Sequence, residues 1–332
     1  MKIAIIGSGL SGMTAASELA PHHDVTVFEK SRGASGRMCT RRRQDEGGTE
    51  YAFDHGAQYF TIRGEAFRQR LNPLREAGIV KPWETPMVIM TSDGQTSPRQ
   101  HEAYVACPGM TALAKAIGQD IPILHELQIS ALLRQSHQWM LTDQHDQTHG
   151  PFDLVISAIP SHQAALLMPA LAVKEGIDQV KMIACFTVML GFQNDFNLDW
   201  GGAFIEDHPL GFIAVNSSKP DRASTPCLVV QANNEWAEPR IEDDPEMIEA
   251  EMHDMIRSLT GIEPKEATLT SFHRWRYAAT KTPLGRSHIL DQDQGLAMIG
   301  DWCLKGRVEA AFDSGLALAQ DLLNSTGPKA SD

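Results

Sequence analysis

The hydrophobic pattern opens with a continuous apolar run, KIAIIG, which reads as a short parallel strand buried on both faces. The glycine-rich turn GSGLSG follows, and SGMTAASELA continues it as a helix of small residues. HDVTVFEK is a second strand that ends at Glu29. ILHELQISALLR reads as one strand, followed by WMLTD and then by FDLVISAIP, which closes in a turn. GEAFRQRLNPLREAG has helical spacing, CPGMTALAKAIG opens a helix after Pro108-Gly109, and PEMIEAEMHDMIRSLTG is a helix ending at Gly261. KMIACFTVMLGF, AFIEDHPLGFIAVNS and TPCLVVQANN read as strands of a second sheet. Near the end, GLAMIGDWCLKGRVEAAFDSGLALAQDLL gives a strand, a loop and a helix. The awkward piece is HGAQYFTIR, His55 to Arg63, at a place where a strand is expected. A period of two puts Tyr59, Thr61 and Arg63 on one face and Phe60 on the other.

A chain of 332 residues is long for one core, so two domains are expected. The hydrophobic fraction of 42% and charged fraction of 21% fit a soluble globular protein. A formal net charge of -13 argues against nonspecific binding to nucleic acid or anionic membranes, while leaving room for a local basic pocket. No apolar run is long enough to span a bilayer, and the N-terminal apolar stretch stops at Gly7, too short for a secretory signal. The five cysteines (Cys39, Cys107, Cys185, Cys227, Cys303) are scattered and show no C-x-x-C spacing. Neither a disulfide framework nor a metal site is expected, and a cytoplasmic location fits best. The oligomeric state is left open.

Gly7, Gly9 and Gly12 stand in G-x-G-x-x-G spacing between a strand and a helix. The first allows the tight turn, the second lets the backbone approach a pyrophosphate, and the third lets the helix pack closely on the sheet. Leu10 and Ser11 open the helix whose N-terminus faces that pyrophosphate. Glu29, followed by Lys30, is placed to accept the ribose hydroxyls of an adenosine. The order strand, glycine turn, helix, strand, acid predicts dinucleotide binding.

The next segment selects the dinucleotide. SRGASGRM, with Arg32, Gly33, Gly36, Arg37 and Met38, resembles the R-x-x-x-G-R-M segment of the amine-oxidase-like FAD proteins. That resemblance implies that Arg37 helps hold the FAD diphosphate, with Arg32 as readily a surface residue. The run Arg41 to Arg43 reads as a solvated hairpin strand. The C-terminal GLAMIGDWCLKGRVEAAFDSG resembles the final FAD motif of the same superfamily. By that resemblance Gly300 and Asp301 meet the ribityl or pyrophosphate region. Arg307 and the amide of Val308 begin a helix aimed at the flavin C2 carbonyl, where backbone N–H groups stabilise a negatively charged reduced ring. Ile129 is the position whose backbone meets the adenine. The predicted partition is an FAD domain over 1–64, 105–160 and 286–327, a substrate domain over 65–104 and 161–285, and a flexible tail over 328–332.

GSGLSG, EKSRGASGRM, DHGAQYFTIR, PGM, HRWRYA and GDWCLKGRVEAAFDSG, in this order over nearly the full chain, resemble the bacterial renalases. The resemblance implies an α/β fold: a Rossmann-type FAD-binding domain with a mixed α+β substrate domain, of the amine oxidase and p-hydroxybenzoate hydroxylase-like kind. It implies a non-covalent FAD oxidase acting on 2-dihydro- and 6-dihydro-NAD(P) isomers, with hydride passing to flavin N5 and dioxygen returning hydrogen peroxide. The product is NAD(P)+, so the role is metabolite repair. Losing hydride makes the dihydropyridine aromatic, so no acid, base or triad is expected, and positioning carries the catalysis. By the family pattern Gly56, Ala57 and Gln58 lie along the flavin, and Tyr59, Phe60, Thr61 and Arg63 line the nicotinamide side, with Arg63 on a phosphate. His273, Trp275 and Tyr277 are further substrate candidates beside Arg274, and His273 reads as structural rather than as a base. Trp302 either stacks near the flavin or packs under the loop. Cys303 is not expected to bond the flavin, and SPRQHEAYVACPG offers Arg99, His101 and Tyr104 without a secure register. Two other readings stay open. One is a flavin amine oxidase or desaturase, for which Lys281 and Lys305 are the lysines near suitable motifs. The other is a non-catalytic scaffold, as in the Rab escort and dissociation-inhibitor proteins.

Overall fold

The structure is a computed structural model that describes residues 1–100 and 102–326; His101 and the tail expected over 328–332 lie outside the described residues. A six-stranded sheet has the order Ile289–Asp291, Leu296–Met298, Leu154–Ser157, Lys2–Ile6, Asp24–Glu29, Ile123–His125, parallel except for the first strand. Ile3 to Ile6 are buried in succession without alternation, as a strand covered on both faces requires. The helix Leu10–Leu19 lies close against this sheet, because a Cβ on Gly12 would sit 2.1 Å from the Gly7 carbonyl oxygen. The long C-terminal helix Val308–Thr326 crosses it closely too, since a Cβ on Gly315 would sit 2.3 Å from the Ser11 carbonyl oxygen.

The second sheet has seven strands in the order Leu269–Thr282, Lys181–Gly191, Cys227–Ala232, Leu210–Val215, Gly202–Ile205, Met87–Met90, Thr96–Arg99. The expected helix over PEMIEAEMHDMIRSLTG forms as Pro245–Thr260. Asp244 caps it by accepting from the Glu246 amide at 2.9 Å, and Gly261 ends it with φ +71°. Its buried stripe is Ile248, Met252, Ile256 and Leu259, the spacing of one helical face. Two small antiparallel pairs, Thr40–Gln44 with Glu50–Asp54 and Val80–Pro82 with Tyr104–Ala106, stand apart from the two large sheets.

Two expectations are corrected. ILHELQISALLR is two strands in different sheets: Ile123–His125 ends the parallel sheet, and Ile129–Gln135 begins a three-stranded antiparallel sheet. The chain turns at Glu126, which adopts φ +59°. No glycine or proline marks that turn in the sequence. The expected boundaries at 64/65 and 160/161 also do not coincide with a change of packing partner. Helix Glu65–Glu76 sets Phe67 against Phe312 with ring centroids 5.0 Å apart, and Arg70 donates to Ser17 Oγ at 2.6 Å. Helices Ser161–Leu167 and Pro169–Lys174 bury Ala164 and Leu171 in the same cluster as Ala4, Ile6 and Phe28. Among the described residues no helix is long and apolar enough to cross a membrane.

Candidate active site

A large cleft of about 2260 Å³ runs between the two sheets. Pockets for one drug-sized ligand are about 300–1,000 Å³, so this one has room for a dinucleotide and a second ligand. At its nucleotide end Gly7 turns with φ +105°, its N–H donating to the Phe28 carbonyl at 2.8 Å. Gly9, Leu10 and Ser11 line the cleft, and a Cβ on Gly9 would meet nothing within 4 Å, so the backbone there is open to a ligand. Gly12 is absent from the lining and serves packing alone, the role given to the third glycine. Glu29 is buried and accepts from the Ser8 amide at 2.9 Å, the Ser8 hydroxyl at 2.7 Å and the Ser31 amide at 2.8 Å. A carboxylate has about four acceptor positions, so capacity remains for a ribose hydroxyl. Lys30 and Ile129 line the cleft beside it.

The middle of the cleft is crossed by an ion pair between Arg37 and Asp301. Arg37 Nη1 donates to Asp301 Oδ2 at 3.0 Å, and Nη2 pairs with Oδ1. The two segments that carry them are 264 residues apart in sequence, and Met38 and Gly300 flank them. Beyond them Val308, Glu309 and Ala310 begin the C-terminal helix along the cleft wall, with Arg307 just before it. The first amides of a helix have no carbonyl within it to bond, so this wall offers donors to a buried acceptor. Backbone approach at Gly9, spare acceptor capacity at Glu29 and orphan amides at Val308 together match the three polar parts of FAD: diphosphate, ribose and flavin carbonyl.

HGAQYFTIR is not a strand. Regular pairing ends at Asp54, and the segment continues as irregular chain with one bridge, Phe60 to Tyr104. The expected alternation survives locally. Tyr59, Thr61 and Arg63 line the cleft, and Phe60 also borders it, although Phe60 is only 3% exposed and its ring packs against Phe67 and Tyr104. Most of the Phe60 ring is therefore spent on core packing. Gln58 is corrected as well: it is buried, absent from the cleft lining, and turned into a polar network. Trp302 is fully buried, its indole donating to the Ile159 carbonyl at 3.0 Å, and it borders the cleft from beneath the loop. Burial pushes the Cys303 thiol up to about 12, which leaves it protonated and unreactive.

The network holding this segment was not foreseen. Asp54 is wholly buried and receives Lys219 Nζ at 3.2 Å, Arg222 Nη2 at 2.7 Å, the Thr40 hydroxyl at 2.6 Å and the Met110 amide at 3.2 Å. Lys219 also donates to Gln58 Oε1 at 3.1 Å and Asn216 Oδ1 at 2.8 Å. Burial raises the Asp54 carboxyl, but the charges of Lys219 and Arg222 outweigh it and hold it below the ordinary range. Burial pulls the Lys219 ammonium down to about 8; with three acceptors around it, it stays charged at neutral pH. Gly56 and Ala57 line the cleft on top of this network, the Ala57 amide donating to the Arg37 carbonyl at 2.8 Å.

The far wall comes from strand Leu269–Thr282. His273, Trp275 and Tyr277 alternate onto its cleft face, Arg274 lies outside the lining, and Arg276, at the edge of the cleft, pairs with Glu242 as Arg274 does. Trp275 donates to the His55 carbonyl at 2.9 Å and stacks on the His55 ring at 5.2 Å. Tyr277 stacks on His162 at 5.6 Å. Burial, helped by Arg41, lowers His55 to about 3 and His273 to about 4, so both imidazoles are neutral near pH 7.

These shifts predict an acid-side instability. Unfolded histidines, at the ordinary 6.5, bind protons that the folded ones refuse, so stability is full above pH 6.5 and falls as pH drops toward the folded values. By about pH 4 the two contribute comparably, each on the order of 3 kcal/mol, so replacing His55 should remove roughly half of the acid-side loss. Thermal unfolding of the wild type and His55→Phe over this range checks it. Parallel curves for the two proteins would refute the role of His55.

Arginines collect around Tyr59 in the cleft. Burial raises the Tyr59 phenol, and the nearby positive charges of Arg99, Arg307 and Arg63 act against that rise. Arg99 lies over the Phe204 ring, 3.7 Å from its centroid. Among the described residues none of these three guanidinium groups forms an ion pair. The cleft as a whole is lined by twelve lysines and arginines and five carboxylates, in a chain of net charge -13. Arg41, read from sequence as solvated, and Arg99, left without register, are both part of this lining.

The chain resembles known proteins along its whole length. Residues 5–72 match an NAD(P)-binding Rossmann-like domain, and residues 87–323 match the flavin containing amine oxidoreductase model. Similar solved structures include a protein assigned as protoporphyrinogen oxidase from Exiguobacterium sp. 255-15, with TM-score 0.78 and 12% identity, covering 98% of this chain and 99% of that one. Cyclohexylamine oxidase from Brevibacterium oxydans IH-35A gives TM-score 0.73 and 14% identity over 98% and 99% of the two chains. At such identities the likeness concerns the fold. Among curated proteins, 4,4'-diapophytoene desaturase of Staphylococcus aureus (strain Newman) is 51% identical over 39 residues, 11% of this chain and 8% of the relative. With the family model spanning most of the chain and the cleft polar where FAD is polar, the chain belongs to the flavin-containing amine oxidoreductases, and its cofactor is FAD, held without a covalent link.

Proposed function

We propose that this flavoprotein is a renalase-type oxidase that converts 2-dihydro- and 6-dihydro-NAD(P) isomers to NAD(P)+, consuming dioxygen and releasing hydrogen peroxide. The observation that carries this reading is the cluster Arg63, Arg99 and Arg307 around Tyr59 in the cleft, whose guanidinium groups form no ion pair among the described residues. Three fixed positive charges there repel a protonated amine and attract the diphosphate of a second dinucleotide. Lys281, a candidate for amine chemistry, is instead paired with Glu235 at 3.1 Å on the surface.

When bound, FAD supplies the hydride acceptor and passes the electrons on to dioxygen. The chain's own residues bind and orient. Arg63, Arg99 and Arg307 hold the substrate phosphates, and Tyr59, Trp275 and Tyr277 provide flat walls for the ring. The orphan amides from Val308 onward favour negative charge on the cofactor side. Neutral His55 and His273 place no cation beside a ring that turns cationic as it loses hydride.

Anaerobic titration of the FAD-loaded protein with each isomer and with primary amines tests the reading through flavin bleaching. The isomers are expected to bleach rapidly; faster bleaching by an amine would sink the proposal. Arg99→Ala is expected to raise KM by about 10- to 100-fold with kcat little changed, as loss of a charge-assisted contact made in ground and transition states alike.

A further inference from the structure

Arg41 stands on the hairpin strand Thr40–Gln44, and its guanidinium reaches under the strand that forms the far wall. Its Nη1 donates to Ser271 Oγ at 3.2 Å, and its Nη2 lies 2.9 Å from His273 Nδ1. A guanidinium has donors and no acceptor. Nδ1 of His273 must therefore carry the lone pair, which puts the ring proton on Nε2. The ring plane is fixed as well: Trp275 meets it edge-on at 4.3 Å and His55 at 5.0 Å. Nε2 has no protein partner among the described residues and is not shut away from open space, and His273 lines the cleft.

We propose that Arg41 is a positioning residue that locks His273 in the neutral Nε2–H form, and that His273 thereby donates a hydrogen bond to a neutral carbonyl acceptor on the substrate. On the dinucleotide reading above, on which this identification rests, that acceptor is the carboxamide oxygen of the dihydronicotinamide. The arrangement has a chemical reason. The ring becomes a cation as it loses hydride, so a protonated imidazole beside it would oppose the reaction through like charge. A neutral donor orients the amide at no such cost. The titratable groups packed around His273 are Arg41 from the hairpin and His55 from the segment after it, while Thr187 faces it from the neighbouring strand.

The test has two readouts on the FAD-loaded protein. In ¹⁵N-histidine spectra, with His273 assigned by loss of its signals in His273→Phe, the wild type should show a neutral Nε2–H ring that does not titrate between about pH 5 and 8. Arg41→Leu should release the tautomer and move the titration toward the ordinary value, and Arg41→Lys, which also only donates, should restore the wild-type tautomer. An Nδ1–H ring, or titration of the wild-type ring in that range, would overturn the positioning role whatever the substrate. The second readout is binding of NAD+ and of its analogue with hydrogen in place of the carboxamide, followed by flavin absorbance. His273→Phe should weaken NAD+ by about three- to tenfold, the value of one neutral hydrogen bond, and leave the analogue unchanged. Equal losses for both ligands would overturn the amide contact. Failure of both ligands to bind the wild type would overturn the dinucleotide reading, and the amide contact with it, while the spectra alone decide the tautomer.

Discussion

Asp54→Asn is expected to destabilise the FAD-loaded protein by about 3–5 kcal/mol, the cost of leaving buried charge without its partner. The substitution hardly changes the side chain's shape, so the effect is electrostatic. Lys219 and Arg222 would both remain with no carboxylate, at side-chain exposures of 0% and 1%. Lys219, already drawn down to about 8, can respond by losing its proton. Arg222 cannot. The variant should therefore be worst at low pH and recover part of its stability as pH rises through the lysine's lowered value. Denaturant titrations at two pH values measure both features. A loss below about 1 kcal/mol would mean that water reaches the cluster and screens it. The double variant Asp54→Asn/Lys219→Met should regain part of the loss, since it removes one uncompensated cation.

Gly56→Ala is expected to cost the protein its cofactor. A Cβ there would lie 1.9 Å from the Arg37 carbonyl oxygen, an atom that already accepts the Ala57 amide. The oxygen belongs to the main chain and the Cβ position is fixed by it, so no side-chain rotation relieves the overlap. The segment His55–Ala57 must move off the Arg37 segment, and both line the cleft. Overpacking of this kind costs about 3 kcal/mol, or about a hundredfold in FAD affinity if the strain falls on the loaded form. Gly33→Ala is the matched control: it lies in the same cleft wall, and a Cβ there meets nothing within 4 Å. Flavin content after purification, and FAD titration of the stripped proteins, separate the two. Retention of FAD by Gly56→Ala would show that the two segments can part without loss of the site.

The parts of this fold that sequence made legible are those with a local physical signature. Gly7, Gly9, Gly12 and Glu29 announce themselves because each answers a requirement of one strand–turn–helix unit. The helix Pro245–Thr260 is legible from its cap, its stripe and its closing glycine. The alternation of Tyr59, Thr61 and Arg63 against Phe60 is also readable, and it holds although no ladder forms. What stayed hidden depends on partners far away in the chain. Asp54 meets Lys219 across 165 residues, and SSKPDR looks like an ordinary polar loop. Gln58 was assigned to the flavin by resemblance, whereas its real partner is that same lysine. Arg41 sits in a run of three arginines, and nothing in the run tells which of them turns toward His273. The break at Glu126 escaped because a non-glycine residue took the left-handed conformation.

The shared core has a consequence for how the molecule can be taken apart. The chain passes from one large sheet to the other four times, after residues 29, 99, 157 and 282. One apolar cluster contains Ile3, Phe67, Met189, Phe212 and Val229 together, so it draws on both sheets. Neither half is a contiguous length of chain, and neither owns its interior. Cutting the gene at any single point yields fragments with open apolar faces rather than a free-standing nucleotide module. Grafting a different substrate half onto this scaffold would mean replacing at least two separate inserts and re-cutting the seam between them. Diversification of such a chain is therefore confined to changes at the cleft lining, where residues such as Arg63, Arg99 and Arg307 can vary without disturbing the shared interior.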